Sequence, residues 1–164
     1  IAYEGFAFSH ASIMYNALSL PQVTSLVQAG IRDRCQQETD IAEGSGGRVK
    51  VFTDQYLRSQ QFKGKTWDQQ CDDILAALPE KVHISFDIDG LDPTLCPDTG
   101  TPVPGGFSFA EATHLLSKLQ SSGKKIIGFD LVEVAPGESD WNGNVGARLL
   151  FHLCGILARS AGRI

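Results

Sequence analysis

The sequence predicts an α/β fold built around a mainly parallel sheet, and three observations carry that prediction. Strand-like and helix-like patterns alternate through the second half of the chain. The apolar stripes of the helical segments are wide enough to cover a sheet. Acidic residues gather where two strand-like runs end, which is where ligands collect in parallel α/β sheets.

The strand-like runs are 25–31, 48–52, 82–88 and 126–134, each rich in aliphatic and aromatic residues. Three helices are readable. Thr66-x-x-Gln69 is a capping box, because Thr and Gln side chains at this spacing satisfy two free backbone amides. It opens a run with Trp67, Cys71, Ile74, Leu75 and Leu78 on an apolar stripe. Ser108-x-x-Glu111 is a second capping box, followed by Ala112, Leu115, Leu116 and Leu119. A third helix is expected from about Val145, with Leu149, Leu153, Ile156 and Leu157 on one side. Residues 38–48 are rich in Gly and polar side chains and read as a surface loop. Residues 90–106 carry four prolines and four glycines, and long loops of this kind in folded domains are commonly functional.

With 164 residues, the chain suits one domain, 1–164. A net charge of −5 argues against a broad nucleic-acid or anionic-membrane surface, and no apolar run is long enough to span a bilayer. The cysteines Cys35, Cys71, Cys96 and Cys154 are widely spaced, with no C-x-x-C pair. That pattern fits reduced thiols in a cytoplasmic protein better than a zinc ribbon or disulfide scaffold.

The most informative stretch is Val82-His-Ile-Ser-Phe-Asp-Ile-Asp-Gly-Leu-Asp-Pro93. Strand alternation puts Val82, Ile84, Phe86 and Ile88 on one face, and His83, Ser85, Asp87 and Asp89 on the other. Asp87 and Asp89 would then be same-face neighbours about 6.5–7 Å apart. Two carboxylates this close repel unless a cation sits between them, and hard divalent ions take such oxygen donors. The plainer alternative is that both cap a turn. Asp92 precedes Pro93 and is expected to shape the loop. A D-x-D after an apolar strand also suits a haloacid dehalogenase-type phosphatase, for which Lys124, Lys125 and Asp130 would have to serve downstream. At the second strand end, Asp130 and Glu133 face opposite ways if the strand stays regular. A Glu there can accept hydrogen bonds from a cationic group, or simply form a salt bridge.

Together, Ser85-Phe-Asp-Ile-Asp-Gly-Leu-Asp-Pro93, Thr99-Gly-Thr-Pro102 with Gly105-Gly106, and Asp130-Leu-Val-Glu-Val-Ala-Pro136 resemble the ureohydrolases, the family of arginase, agmatinase and formimidoylglutamase. The resemblance implies a three-layer α/β/α fold. It implies two Mn²⁺ ions, bridged by a hydroxide that attacks a guanidino carbon. Asp87 matches the family's metal-bridging Asp, Asp89 its neighbour on one metal, and Glu133 the acid that holds the guanidinium group. Thr101 falls in the motif expected to line the substrate. Ser9-His10 resembles the family's Ser-His stretch, so His10 would handle protons or line the pocket.

The family's Gly-Gly-Asp-His and Asp-Ala-His-x-Asp stretches have no match here, so only Asp87 and Asp89 of the usual six metal ligands are matched. His83 lies about 13 Å from Asp87 on an extended strand, and His114 and His152 fall in helical stripes. The expectation is a chain lacking its amino-terminal part, holding metal weakly or inactive alone, with exposed sheet edges that favour homo-oligomers. A non-catalytic interaction module is the alternative. Phe8-Ser9-His10-Ala11-Ser12, in place of the Ser-Gly-Asn stretch of arginases, resembles the agmatinase branch and implies a small guanidino-type substrate.

Overall fold

The computed structural model describes residues 2–162. Among them, four strands and six α-helices form in the order α1 (Ile13–Leu18), β1 (Leu26–Ile31), α2 (Gln36–Gly44), β2 (Val49–Thr53), α3 (Asp54–Phe62), α4 (Trp67–Ala77), β3 (Lys81–Asp87), α5 (Phe109–Ser121), β4 (Lys125–Val132) and α6 (Trp141–Ser160). The strands pair in parallel, β1 with β2 and β3 with β4, which bears out the parallel α/β expectation. The predicted strand positions all hold, to within a few residues at their ends.

Helices α4 and α5 start where the capping boxes place them. Thr66 Oγ1 accepts from Gln69 N at 3.2 Å, and Ser108 Oγ accepts from Glu111 N at 3.1 Å. Helix α6 begins at Trp141, a turn earlier than the apolar stripe suggests. One expectation is corrected: most of 38–48 is helix α2, not loop. The helix starts with a capping box of Cys35 and Glu38 but buries none of its residues, so it has no apolar stripe to betray it.

Two apolar clusters organise the core. Leu75, Val82, Leu116, Leu119, Ile126, Leu153 and Ile156 fasten α4, α5 and α6 onto one face of the β3–β4 pair. Leu57, Ile74, Ile88, Leu91, Cys96, Phe107, Ala112, Val145 and Leu149 make the other cluster, against which Val27, Ala29 and Phe52 of the β1–β2 pair also pack. The two strand pairs share no hydrogen-bonded ladder among the described residues, so this cluster and the loop above it join them.

That loop is tied down at both ends. Phe107 N donates to Gly90 O at 3.0 Å, and Asp92 N donates to Phe107 O at 2.9 Å. Gly106 makes the closure possible: its φ is +89°, and a Cβ there would come within 2.5 Å of the Leu91 carbonyl oxygen.

Burial separates two residues of α6 sharply. Leu149 is fully enclosed, whereas Phe151 is 84% exposed. Leu149→Ala is expected to cost about 3 kcal/mol in urea denaturation and Phe151→Ala less than about 0.5 kcal/mol.

Candidate functional site

The site forms where β3 and β4 end together. Asp87 is the last residue of β3 and pairs in register with Val132, so Glu133 follows one residue beyond its cross-strand partner. The strand does not continue to Asp89. Residues Ile88–Gly90 form a single tight turn, and the Asp87 carboxylate caps it by accepting from Asp89 N at 2.9 Å. The expected alternation of Asp87 and Asp89 along one strand face is therefore corrected. The two are neighbours through a turn, and the turn-capping alternative holds for Asp87.

Asp89 has both carboxylate oxygens engaged. Oδ1 accepts from Arg32 Nη2 at 2.7 Å, and Oδ2 accepts from the Thr101 hydroxyl at 2.9 Å. Arg32 also donates to the Asp89 carbonyl and to Gly30 O at 3.1 Å. Its side chain is only 8% exposed, and it comes from just past the end of β1. The sequence reading passed over Arg32. Its signal was a cation just past a strand end, in Ala29-Gly-Ile-Arg32, with an acidic strand end elsewhere in the chain.

Glu133 departs from the strand, with φ +63°, so it leaves the regular alternation. Its carbonyl accepts from the Thr99 hydroxyl at 3.1 Å. A Cβ on Gly100 would lie 3.4 Å from Glu133 Oε2, which puts this carboxylate against the 90–106 loop. Asp130 points elsewhere, accepting from Ser85 Oγ at 2.7 Å and lying 2.9 Å from His83 Nε2 on the exposed sheet face.

Burial pushes the Asp87 carboxyl up to about 6, against the hydrogen bond from Asp89 N–H, and the negative charges of Asp89 and Glu133 add to the rise. Asp87 therefore lies within electrostatic reach of both Asp89 and Glu133. Oxygen donors carrying uncompensated charge suit one side of a hard divalent cation. Among the described residues no group of three or more His, Cys, Asp or Glu converges to complete such a site. Asp87 and Asp89 alone do not complete one, and both Asp89 oxygens are already engaged by Arg32 and Thr101.

The remaining sequence candidates lie apart. His10 sits in the short turn His10–Ser12, with its ring 5.1 Å from that of Tyr3, and among the described residues no hydrogen bond or ion pair links it to the three acids. His114 pairs with Asp68, and His152 lies 3.4 Å from Ser117 Oγ. Lys124 and Lys125 are at the start of β4, about 20 Å along the sheet from Asp87, which leaves the phosphatase arrangement without its lysine. Cys71 and Cys96 are buried, and burial pushes their thiols up to about 12 and about 11, away from nucleophilic use.

A parallel α/β scaffold gathers its ligands at the carboxyl ends of the strands, and here those ends carry carboxylates. Residues 2–155 match the model of the arginase family, and the chain belongs to that family. It is 33% identical over 160 residues to N(1)-aminopropylagmatine ureohydrolase of Thermus thermophilus, covering 98% of this chain and 50% of that protein. Against the agmatinase of Pyrococcus horikoshii it is 31% identical over 162 residues, covering 96% of this chain and 51% of the relative. Proclavaminate amidino hydrolase from Streptomyces clavuligerus superposes with a TM-score of 0.79 at 27% identity, over 97% of this chain and 52% of that one. The chain spans about half the length of the curated relatives it matches.

Two stability effects follow. Arg32→Met is expected to cost about 3 kcal/mol, since it leaves the Asp89 carboxylate without its buried cation; chemical denaturation measures it. Asp87 acts in the opposite direction. A carboxyl raised in the fold contributes stability below its unfolded pKa near 4, and that contribution is lost as pH rises through about 6. Asp87 is partly open to solvent, so after screening the loss is about 1 kcal/mol. Asp87→Asn is therefore expected to raise the unfolding midpoint at pH 7 and to leave it unchanged near pH 3.

Proposed function

We propose that residues 1–164 form part of one catalytic domain of a ureohydrolase that cleaves a linear guanidino compound of the agmatine type. The single observation that carries this reading is the meeting of Asp87, Asp89 and Glu133 at the shared carboxyl end of β3 and β4. The names of the relatives, agmatinase and aminopropylagmatine ureohydrolase among them, favour the same substrate class.

Asp87 and Asp89 would hold divalent metal, with Mn²⁺ the proposed ion, and further donors would have to join this partial set. Metal bound there supplies Lewis acidity and lowers the pKa of water toward neutrality. The chain's own residues supply the rest. Glu133 accepts N–H bonds from the planar guanidinium and fixes its orientation. Thr101, bonded to Asp89, lines the approach. Water adds to the guanidino carbon, the bond from that carbon to the alkyl nitrogen breaks, and the departing amine takes a proton while urea leaves. His10 is the proposed proton donor, because imidazole side chains commonly carry protons to leaving amines in general acid catalysis.

A soluble cytoplasmic homo-oligomer is part of the proposal. Its support is that no helix among the described residues is long and apolar enough to cross a membrane, and that Phe8, Phe62 and Phe151 stand exposed.

The test is urea release from agmatine by the complete gene product. EDTA is expected to abolish it and Mn²⁺ to restore it. Glu133→Gln and Asp87→Ala are each expected to lower kcat/KM by about a hundredfold or more. Full activity in the chelated protein, or in both variants, would refute the assignment.

A further inference from the structure

We propose that Thr99 is a positioning residue that holds Glu133 in the orientation needed to grip the guanidinium group; this rests on the function proposed above for Glu133. Glu133 has φ +63°, a backbone conformation in which a side chain crowds the following carbonyl. Non-glycine residues persist there only when their surroundings hold them. Here the restraint is visible. The Thr99 side chain donates its hydroxyl to the Glu133 carbonyl at 3.1 Å, and Thr99 is only 5% exposed, so water does not compete well for that bond.

Thr99 is itself held. Its N–H donates to Cys96 O at 3.2 Å, and the buried Cys96 thiol donates to Ile88 O at 3.2 Å, in the turn between Asp87 and Asp89. The chain Ile88–Cys96–Thr99–Glu133 thus connects the turn that bears Asp89 to the end of β4. Two residues on, Thr101 returns to Asp89. A regular strand would send Glu133 to the face opposite Asp130. The left-handed turn instead brings its carboxylate against Gly100 at the strand ends, where a Cβ would stand 3.4 Å from Oε2. The Glu133 carbonyl also accepts from Ala135 N–H at 2.9 Å within the turn, and the Thr99 hydroxyl is the contact that ties this turn to the 90–106 loop.

Thr99→Val keeps the shape and deletes the hydroxyl, whereas Thr99→Ser keeps the hydroxyl. In the complete gene product loaded with Mn²⁺, Thr99→Val is expected to raise KM for agmatine about tenfold with a smaller change in kcat, and Thr99→Ser to restore it. In a Glu133→Gln background, Thr99→Val should add little, because the hydroxyl acts through Glu133. An activity-independent readout, taken on the metal-free protein because Mn²⁺ is paramagnetic, is the Glu133 Cα chemical shift, expected to leave the left-handed range in Thr99→Val and stay in Thr99→Ser. An unchanged shift and KM in Thr99→Val, or an equal loss in the Glu133→Gln background, would overturn the assignment. A wild-type protein that releases no urea from agmatine would refute the proposed function instead, and the chemical shift would still decide whether Thr99 sets the Glu133 backbone.

Discussion

The site depends on one ion pair. Arg32, from the end of the β1–β2 pair, reaches the turn after β3 and bonds both the carboxylate and the carbonyl of Asp89. Among the described residues the two strand pairs have no ladder between them, so side chains hold their ends in register. Apolar packing brings the pairs together without direction. The planar guanidinium adds direction, because its donors are fixed in a fork. With Arg32 occupying one oxygen and Thr101 the other, Asp89 is locked in place between the first strand pair and the 90–106 loop.

Asp87 lies beside this lock and lacks a compensating cation of its own. Burial and the negative charges of Asp89 and Glu133 raise its carboxyl. A fold selected for stability alone would place an amide there. Perturbed acids cluster at functional sites, which is the ground on which Asp87 is proposed to hold a cation. Glu133 shows the same trade in its backbone, with a strained φ maintained by Thr99.

Helices α4 and α5 were legible because their capping boxes and apolar stripes are local patterns that agree with each other. Helix α2 was not, since it buries nothing and offers no periodicity. Helix α3 escaped notice for a related reason: it is capped by Thr53 and buries only Leu57. Among site residues, Asp87 and Glu133 were legible from their strand ends. Arg32 and Thr99 were not, because each acts on a residue far away in sequence, 57 and 34 positions off.

Sequence alone determined the parallel α/β class, the strand positions, the acidic strand ends and the family resemblance. All of these are written in short windows, where alternation, capping and motif order are set by neighbouring residues. Only the tertiary structure decided that Asp89 leaves the strand to meet Arg32, that Asp130 turns to His83 and Ser85, and that Glu133 swings back toward the loop. Those outcomes depend on which side chains meet across the fold, and a hydrogen bond between distant segments leaves no periodic trace in either of them.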